Sequence, residues 1–590
     1  MKTHIKTLFG LAAGALLFTA CNDSFLDRNP THDLGDNDFW HTANDLEVYN
    51  NGIYNQAGDN DDYMFLVGFT NDPYNSSAWS AIACEAQTDN FASLSSAQQW
   101  ATKIGAGQET VPNNPDRGGW KWDLLRRCNV FFENYQKADV PDITKQQYAG
   151  EVYFFRAWFY LDKVQKYGDV PYVTKALDTD SPELYGKRTP RKDVMDSVLV
   201  DIDKACAYLP VAWDKSKPNR VDKGTALALK SRICLYEGTY RKYHNLGDYE
   251  KYLQEAVKAS QDLIALDKYE VYNTGKPESD YTALFSSPDL STNPEVIFYR
   301  KYEAGVLGNR MSGYIVLMNA GATKDFVDDF LCLDNDGEAR PVSLSTDYKD
   351  DTYQHVLTNR DPRLTQTILD PLKAKDVLFN QDKYKFPILN GMDGWKTTTG
   401  YHVIKYYNKD EDAKGYGNEG TDAPLFRYAE VLLNLAEAKA ELGTISQTDL
   451  DNTVNLLRER AGMPDLTLTP PMDPKYAGEG ISSLLVEIRR ERRVELSFEM
   501  SRYPDLMRWK WGKRLAEPML GMRFEEADSQ SEQFKNANVQ TVEVNGKHYI
   551  DAFAGNDFGK RVFDEEKHYL HPIPVNVRSK NPELGQNPKW

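Results

Sequence analysis

The feature that most constrains the fold is a helical segment, residues 147–166, that is apolar on two sides. One stripe contains Tyr148, Val152, Phe155 and Phe159, and the other contains Phe154, Trp158 and Leu161. A helix with two apolar faces has to be covered by neighbours on both of them, as happens in stacked helical pairs. The segment therefore predicts a layered helical scaffold.

Further segments show the same period, namely residues 226–240, 249–266, 425–442 and 450–461. Residues 425–442 also carry a stripe of alanines, and small side chains let a neighbouring helix approach closely. These helix–turn–helix units look like degenerate tetratricopeptide repeats. Periodicity alone does not separate such an array from an unrelated helical bundle.

Two long stretches between the helical segments are irregular. Residues 59–119 and 276–423 are rich in Gly, Asn, Asp, Ser, Pro and Thr. Possible short strands occur at residues 296–299, 403–407 and 539–544, the last running into the hairpin signal Asn545-Gly546. Long irregular segments held by a rigid scaffold are often binding surfaces. We therefore expect a mostly α fold, a tetratricopeptide-like scaffold of helical pairs with large loop-rich insertions and a few short β-hairpins.

The N-terminus predicts export and a lipid anchor. Two lysines precede residues 8–18, an apolar stretch that is too short to span a bilayer and is typical of a secretory signal. Residues 18–21, FTAC, resemble a lipoprotein lipobox, with Phe18 where leucine is commoner. We expect residues 1–20 to be removed and Cys21 to be lipidated. Simple cleavage that leaves a free Cys21 is the alternative.

Composition and motifs argue against several classes of function. The formal net charge is −18 without a long basic run, which makes binding to nucleic acid improbable. The sequence has no phosphate-binding Gly-Lys-Ser/Thr loop, no Gly-x-Ser-x-Gly nucleophile motif and no His-Glu-x-x-His zinc motif. Residues 334–337, DNDG, lack the flanking calcium ligands and are interpreted as a tight turn. We expect no catalytic residue, no metal and no cofactor.

Several blocks of the chain occur together, in order, in one known family. They are CNDSFLD at residues 21–27, RA at 156–157, YGDVP at 167–171, ALALKSR at 226–232, PLFRYAEV at 424–431, RERAG at 458–462, ERRVEL at 491–496, RYPDL at 502–506 and the terminal PIP, NP and QNP. This set resembles the SusD/RagB family of nutrient-binding lipoproteins over nearly the whole chain.

The resemblance implies a tetratricopeptide-like core in a single domain, residues 21–590. Its helical parts would lie at roughly 40–275 and 424–515, with ligand-facing insertions at roughly 59–119 and 276–423. It also implies an outer-membrane lipoprotein that faces the exterior and passes oligosaccharides to a SusC-like TonB-dependent transporter. A minority branch of the family binds peptides.

An acidic row lies on one predicted helix. Glu487, Glu491, Glu495 and Glu499 follow one another at intervals of four residues, with four arginines beside them. Like charges at this spacing repel unless cations neutralise them. A catalytic or metal-binding row is conceivable, but an ion network that pins the helix to its neighbours is the preferred interpretation.

The candidate ligand residues follow by elimination. A sugar site needs flat aromatic rings and directional hydrogen-bonding groups. Most tryptophans lie in helical or family-wide blocks, which leaves those in the irregular insertions. The proposed platform is drawn from Tyr74, Asn75, Trp79, Asn90, Trp100, Arg310, Tyr314, Trp395 and Tyr401. For each of them, packing within a loop is the competing explanation.

The sequence leaves the ligand and some of the function open. Glycan capture without catalysis is the leading hypothesis, and peptide capture of the RagB type is the alternative. A surface glycoside hydrolase would release reducing ends from a polysaccharide. A purely structural repeat scaffold would tolerate replacement of the loop aromatics.

Overall fold

The computed structural model describes residues 39–57, 68–69, 80–115 and 119–590. This part of the chain contains eight helices of twelve or more residues. They are α1 (Ala43–Ala57), α2 (Asp123–Asn134), α3 (Asp142–Tyr167), α4 (Arg191–Tyr208), α5 (Lys223–Tyr243), α6 (Tyr249–Ile264), α7 (Tyr428–Glu441) and α8 (Ser483–Glu495).

Shorter helices and nine strands lie mostly between α6 and α7 and after α8. The short helices are Ala81–Cys84, Gln99–Gly105, Asp280–Phe285, Met311–Ile315, Lys324–Asp328, Tyr353–Leu357, Arg363–Thr367, Ala374–Val377, Lys409–Asp412, Gln447–Asp451, Val454–Arg460, Arg502–Arg508, Glu526–Ser529 and Val575–Lys580. The strands are β1 (Phe91–Ser93), β2 (Val296–Arg300), β3 (Ala320–Ala322), β4 (Cys332–Leu333), β5 (Ala339–Arg340), β6 (Ala423–Arg427), β7 (Leu520–Arg523), β8 (Thr541–Val544) and β9 (Lys547–Asp551).

The long helices stack in chain order. Helix α3 packs against α1, α2 and α4, and the series continues through α5, α6 and α7 to α8. Both predicted stripes of α3 are buried, including Phe155 in the first and Phe154 in the second. The two-sided apolar pattern thus correctly predicted a helix covered by neighbours on both faces, and the mostly α scaffold is confirmed.

A glycine allows the closest helix pair, α5 and α6, to approach. A Cβ added at Gly238 would lie 2.8 Å from a methyl carbon of Leu253. At its N-terminus, α5 is capped by Asp222, whose carboxylate accepts the Thr225 backbone N–H at 2.9 Å. Capping satisfies a donor that the first turn leaves without a partner, and the bare glycine lets the two backbones pack side by side.

The strand predicted at residues 403–407 does not form, so this prediction is wrong. Val403 forms a single bridge with Ile368, and Tyr406 adopts a positive φ of 72°. The apolar residues there do not alternate between two faces, because Val403, Tyr406 and Tyr407 are all buried in a second core. The predicted helix at 450–461 is likewise divided into two short helices.

Small antiparallel sheets organise the loop-rich parts. Strand β1 pairs with β3, β2 with β6 and β4 with β5, while β7, β9 and β8 form a three-stranded sheet. The turn between β8 and β9 has positive φ at both Asn545 (52°) and Gly546 (76°), as the hairpin signal predicted. Strand β6 leads directly into α7, so the β2–β6 pair joins the insertion to the helical array.

The acidic row forms a buried ion network, although only Glu487, Glu491 and Glu495 lie on α8 and Glu499 lies in the turn after it. Glu495, with no exposed surface, accepts from Arg363 at 2.8 Å, Arg427 at 3.0 Å and Arg460 at 2.5 Å. Burial alone raises the pKa of Glu495, but the three guanidinium groups more than offset it and hold the pKa well below its usual range. The preferred interpretation, an ion network that pins the helix, is confirmed.

The arginines of the same helix fix the insertions to the scaffold. Arg493 donates to Asp325 at 2.8 Å and to the Asn90 side-chain oxygen at 2.8 Å. Arg502, in the next helix, binds both oxygens of Asp89 at 2.7 and 2.6 Å. The loops at residues 80–115 and 276–423 are therefore held by charge-assisted bonds to a rigid helix.

Candidate ligand-binding surface

A short helix in the second insertion, Met311–Ile315, carries the most favourable group of side chains for ligand binding. Its N-terminus is fixed by Glu419, whose carboxylate accepts the backbone N–H groups of Ser312 at 2.6 Å and Gly313 at 3.0 Å. The preceding Asn309 forms a backbone bridge with Glu419 and is fully buried. The backbone at Arg310, between them, is therefore held in place from both sides.

The Arg310 side chain lies between two tyrosines. Its guanidinium carbon is 3.9 Å from the centre of the Tyr416 ring and 5.5 Å from that of Tyr314. Tyr416 is 51% exposed, whereas Tyr314 is buried at 6%. The result is a half-exposed aromatic ring stacked on a partly exposed cation.

Tyr314 connects this group to the first insertion. The Gln98 side-chain nitrogen donates to the Tyr314 hydroxyl at 3.1 Å. Trp100, two residues further on, is half-buried at the edge of the second core. We refer to Arg310, Tyr314 and Tyr416 as the loop surface.

Burial shapes the charges of the loop surface. Burial lowers the pKa of Arg310, and the neighbouring Tyr314 and Glu419 oppose this only in part. Burial raises the pKa of Glu419, while its backbone donors Gly313 and Ser312 act in the other direction. Glu419 is occupied by these two backbone donors and forms no ion pair with Arg310.

Two predicted site residues lie in the interior. The Asn90 side chain donates to Glu85 at 2.5 Å and accepts from Arg493, with no exposed surface. Tyr401 is 2% exposed and its ring lies 5.5 Å from that of Tyr353. Both side chains are used in internal packing, so we do not include them in the loop surface.

The other predicted residues are separate or lie elsewhere. Trp395, like Trp100, is half-buried against the second core. Cys21, Tyr74, Asn75 and Trp79 lie outside the described residues.

Sequence reasoning missed Gln98 and Tyr416. Tyr416 stands between Gly415 and Gly417, which have φ of 83° and 77°. An aromatic residue between two glycines in an irregular insertion is a detectable signal, because such a backbone holds a ring away from the core. Gln98 gave no comparable signal.

A concave surface lies elsewhere, between α2 and the C-terminal segment. It has a volume of about 520 Å³ and contains Trp122, Leu184 and Tyr185. Tyr185 is 57% exposed, but no cation stacks on it among the described contacts. It provides a matched comparison for Tyr416.

The chain resembles known proteins over most of its length. A family model described as the SusD family matches residues 287–590, and a second, described as "Starch-binding associating with outer membrane", matches residues 24–235. SusD-like protein P38 of Formosa agariphila is 24% identical over 88% of this chain and 94% of its own. SusD-like protein P2 of the same organism is 26% identical over 63% of this chain and 66% of its own.

A solved structure gives the same fold. A SusD-like carbohydrate-binding protein from Bacteroides fragilis superposes with a TM-score of 0.72, at 23% identity, over 92% of this chain and 99% of its own. The stacked helices and loop-borne surface define a protein that carries its candidate site on insertions into a helical scaffold. The chain belongs to the SusD family. Within the described residues, no helix has the length and apolar character needed to cross a membrane.

Proposed function

We propose that this protein binds glycans at the bacterial outer surface and delivers them to a SusC-like TonB-dependent transporter. The observation that carries the proposal is the half-exposed Tyr416 ring stacked on Arg310 in a member of the SusD family. The similarity to the B. fragilis protein, described as carbohydrate-binding, supports the ligand class.

The chemistry of the loop surface suits a sugar. The C–H face of a pyranose packs on an aromatic ring, and its hydroxyl groups need donors and acceptors with fixed directions. Tyr416 offers the ring, Arg310 offers donors, and the clamped helix Met311–Ile315 fixes the backbone of the adjacent Arg310. A rigid frame lowers the entropy that binding costs.

Capture without catalysis is the proposed activity. Glycoside hydrolysis needs two carboxyl groups that flank the scissile bond. At the loop surface, the Glu419 carboxylate is 1% exposed and bonded to two backbone N–H groups. Such a carboxylate serves as a structural anchor, and we assign the loop surface to binding.

Membrane attachment and the transporter partner belong to the same proposal. Lipidation of Cys21 would hold the protein on the outer membrane, and the match to a model described as associating with the outer membrane supports this location. The helical scaffold would then present the loop surface to the transporter mouth.

Isothermal titration calorimetry on soluble protein beginning at Asn22 tests the ligand class. The titrants are a panel of plant, host and microbial oligosaccharides and, separately, a panel of peptides. The matched variants are Tyr416→Ala and Tyr185→Ala, which remove half-exposed tyrosines of similar exposure from two different surfaces.

We expect saturable binding to at least one oligosaccharide class. Tyr416→Ala should weaken it by about threefold to tenfold, the value of one aromatic contact, while Tyr185→Ala leaves it unchanged. Binding of peptides but not sugars would replace the ligand class with the RagB-type alternative. Equal effects of the two variants would contradict the assignment of the loop surface.

A further inference from the structure

Arg310 lacks an acceptor among the described residues of this acidic protein. The Arg310 side chain forms no hydrogen bond or ion pair with any of the described residues. Its Nε atom is buried and has no hydrogen-bond partner among them. Other partly exposed arginines do find carboxylates, as Arg523 does with Glu525 at 2.7 Å and Arg340 with Asp336 at 2.7 Å. With a net charge of −18, an arginine that lacks a carboxylate partner at a candidate site calls for an explanation.

The carboxylates near Arg310 are bonded to other groups. Glu419 caps the short helix through Ser312 and Gly313. Glu411 accepts from Lys414 at 2.6 Å and from the Gly420 backbone at 2.7 Å, and Asp412 accepts from the Tyr407 hydroxyl at 2.7 Å. These contacts leave the Arg310 charge without an internal counter-ion in the described part of the chain.

A partly desolvated guanidinium is best completed by an anion. Removing a charged donor from water without an acceptor is costly, and a carboxylate restores two parallel charge-assisted bonds. Tyr416 covers one face of the Arg310 group, so a ligand carboxylate has to meet its edge in the plane of the guanidinium. A sugar that carries a carboxylate on its ring meets both requirements at once, since its ring can lie beside the tyrosine.

From this geometry we infer that the loop surface selects acidic glycans, in which uronic acid residues pair with Arg310. The inference rests on the proposed glycan-binding function and names its ligand class. It goes beyond the family membership, which leaves the charge of the ligand open.

The test compares each uronic acid oligosaccharide with its own carboxyl-reduced, neutral form. Probes of several linkages, such as oligogalacturonides and glucuronic acid oligomers, are titrated into soluble protein at low and high salt. The variants are Arg310→Gln, Arg310→Lys and Arg523→Gln, the last being a matched control at a partly exposed arginine away from the loop surface. Thermal melts check that each variant is folded.

At least one acidic probe should bind about tenfold to hundredfold more tightly than its reduced form, and salt should reduce that ratio. Arg310→Gln should abolish the ratio, Arg310→Lys should keep part of it because the charge remains, and Arg523→Gln should leave it unchanged. The wild-type ratio alone decides the question if the Arg310 variants do not fold.

Tighter or equal binding of the reduced forms would overturn the acidic preference while leaving glycan binding in place. An unchanged ratio in Arg310→Gln would likewise remove Arg310 from recognition. If no oligosaccharide binds, neutral or acidic, the proposed function fails together with the inference.

Discussion

The ion network around α8 makes a sharp prediction about stability. Glu495 is fully buried and receives donors from Arg363, Arg427 and Arg460. Glu495→Gln keeps the size of the side chain but removes the charge and one acceptor oxygen. At least one guanidinium then loses its partner in the interior.

The magnitude follows from the local charge balance. The buried ion pairs around Glu495 interlock; the cations are Arg363, Lys405, Arg427, Arg458 and Arg460, and the carboxylates are Glu295, Asp361, Glu487, Glu491, Glu495 and Glu499, of which Glu487 also pairs with Arg490. Removing one partner of such a buried network costs about 3–5 kcal/mol, because it leaves an uncompensated charge away from water. That is a large share of the roughly 5–15 kcal/mol that stabilises a folded domain.

Urea unfolding followed by tryptophan fluorescence measures the effect. The control is Asp262→Asn, which breaks the exposed pair of Lys258 and Asp262 on α6, whose side chains are 62% and 47% exposed. We expect the control to cost no more than about 0.5 kcal/mol. A loss below about 1 kcal/mol for Glu495→Gln, similar to the control, would refute the structural role of the network.

Three further predictions concern the loops, pH and the anchor. A Cβ at Gly308 would lie 2.0 Å from the Gly417 carbonyl oxygen. Gly308→Ala should therefore shift the loop that carries Tyr416 and weaken glycan binding measured by calorimetry. The control Gly478→Ala should leave binding unchanged, because a Cβ there would have open space around it. Burial lowers the pKa of His402 from 6.5 to about 3. As the pH drops below about 6.5, His402 is protonated in the unfolded chain but stays neutral in the folded protein, so the free energy of unfolding falls. Between pH 7 and pH 5 the loss is about 2 kcal/mol, and His402→Gln should flatten that slope in urea unfolding; an equal slope would contradict the assignment. Cys21→Ala should abolish incorporation of labelled fatty acid and release the protein from the membrane fraction, and unchanged labelling would rule out the predicted lipid anchor.

The helical scaffold was readable from the sequence because periodicity records which sides of a helix are covered. The two stripes of α3 predicted neighbours on both faces, and the paired positive φ values at Asn545-Gly546 follow from local turn chemistry. Residues 403–407 were misassigned because three of their apolar side chains enter one core, which mimics a buried strand. Local patterns therefore determine helices and turns better than they determine loop paths.

The loop surface was only partly readable, since distant loops build it. Arg310 and Tyr314 belong to one insertion and lie close together in the sequence, but Tyr416 reaches them from more than a hundred residues away. Asn90 looked equally suitable as a ligand residue until Arg493, 403 residues further along the chain, was seen to bind it. No spacing rule connects such positions, because the connection runs through the folded scaffold.

The location of the glycan site is the central claim, and hydroxyl-radical footprinting tests it most directly. Soluble protein is oxidised with and without the tightest oligosaccharide, and modification of individual side chains is read by mass spectrometry. The bound glycan should protect Tyr416 while oxidation of Tyr185 stays unchanged. Protection of Tyr185 or Trp122, with Tyr416 still fully oxidised, would place the ligand in the concave surface beside α2 and contradict the account.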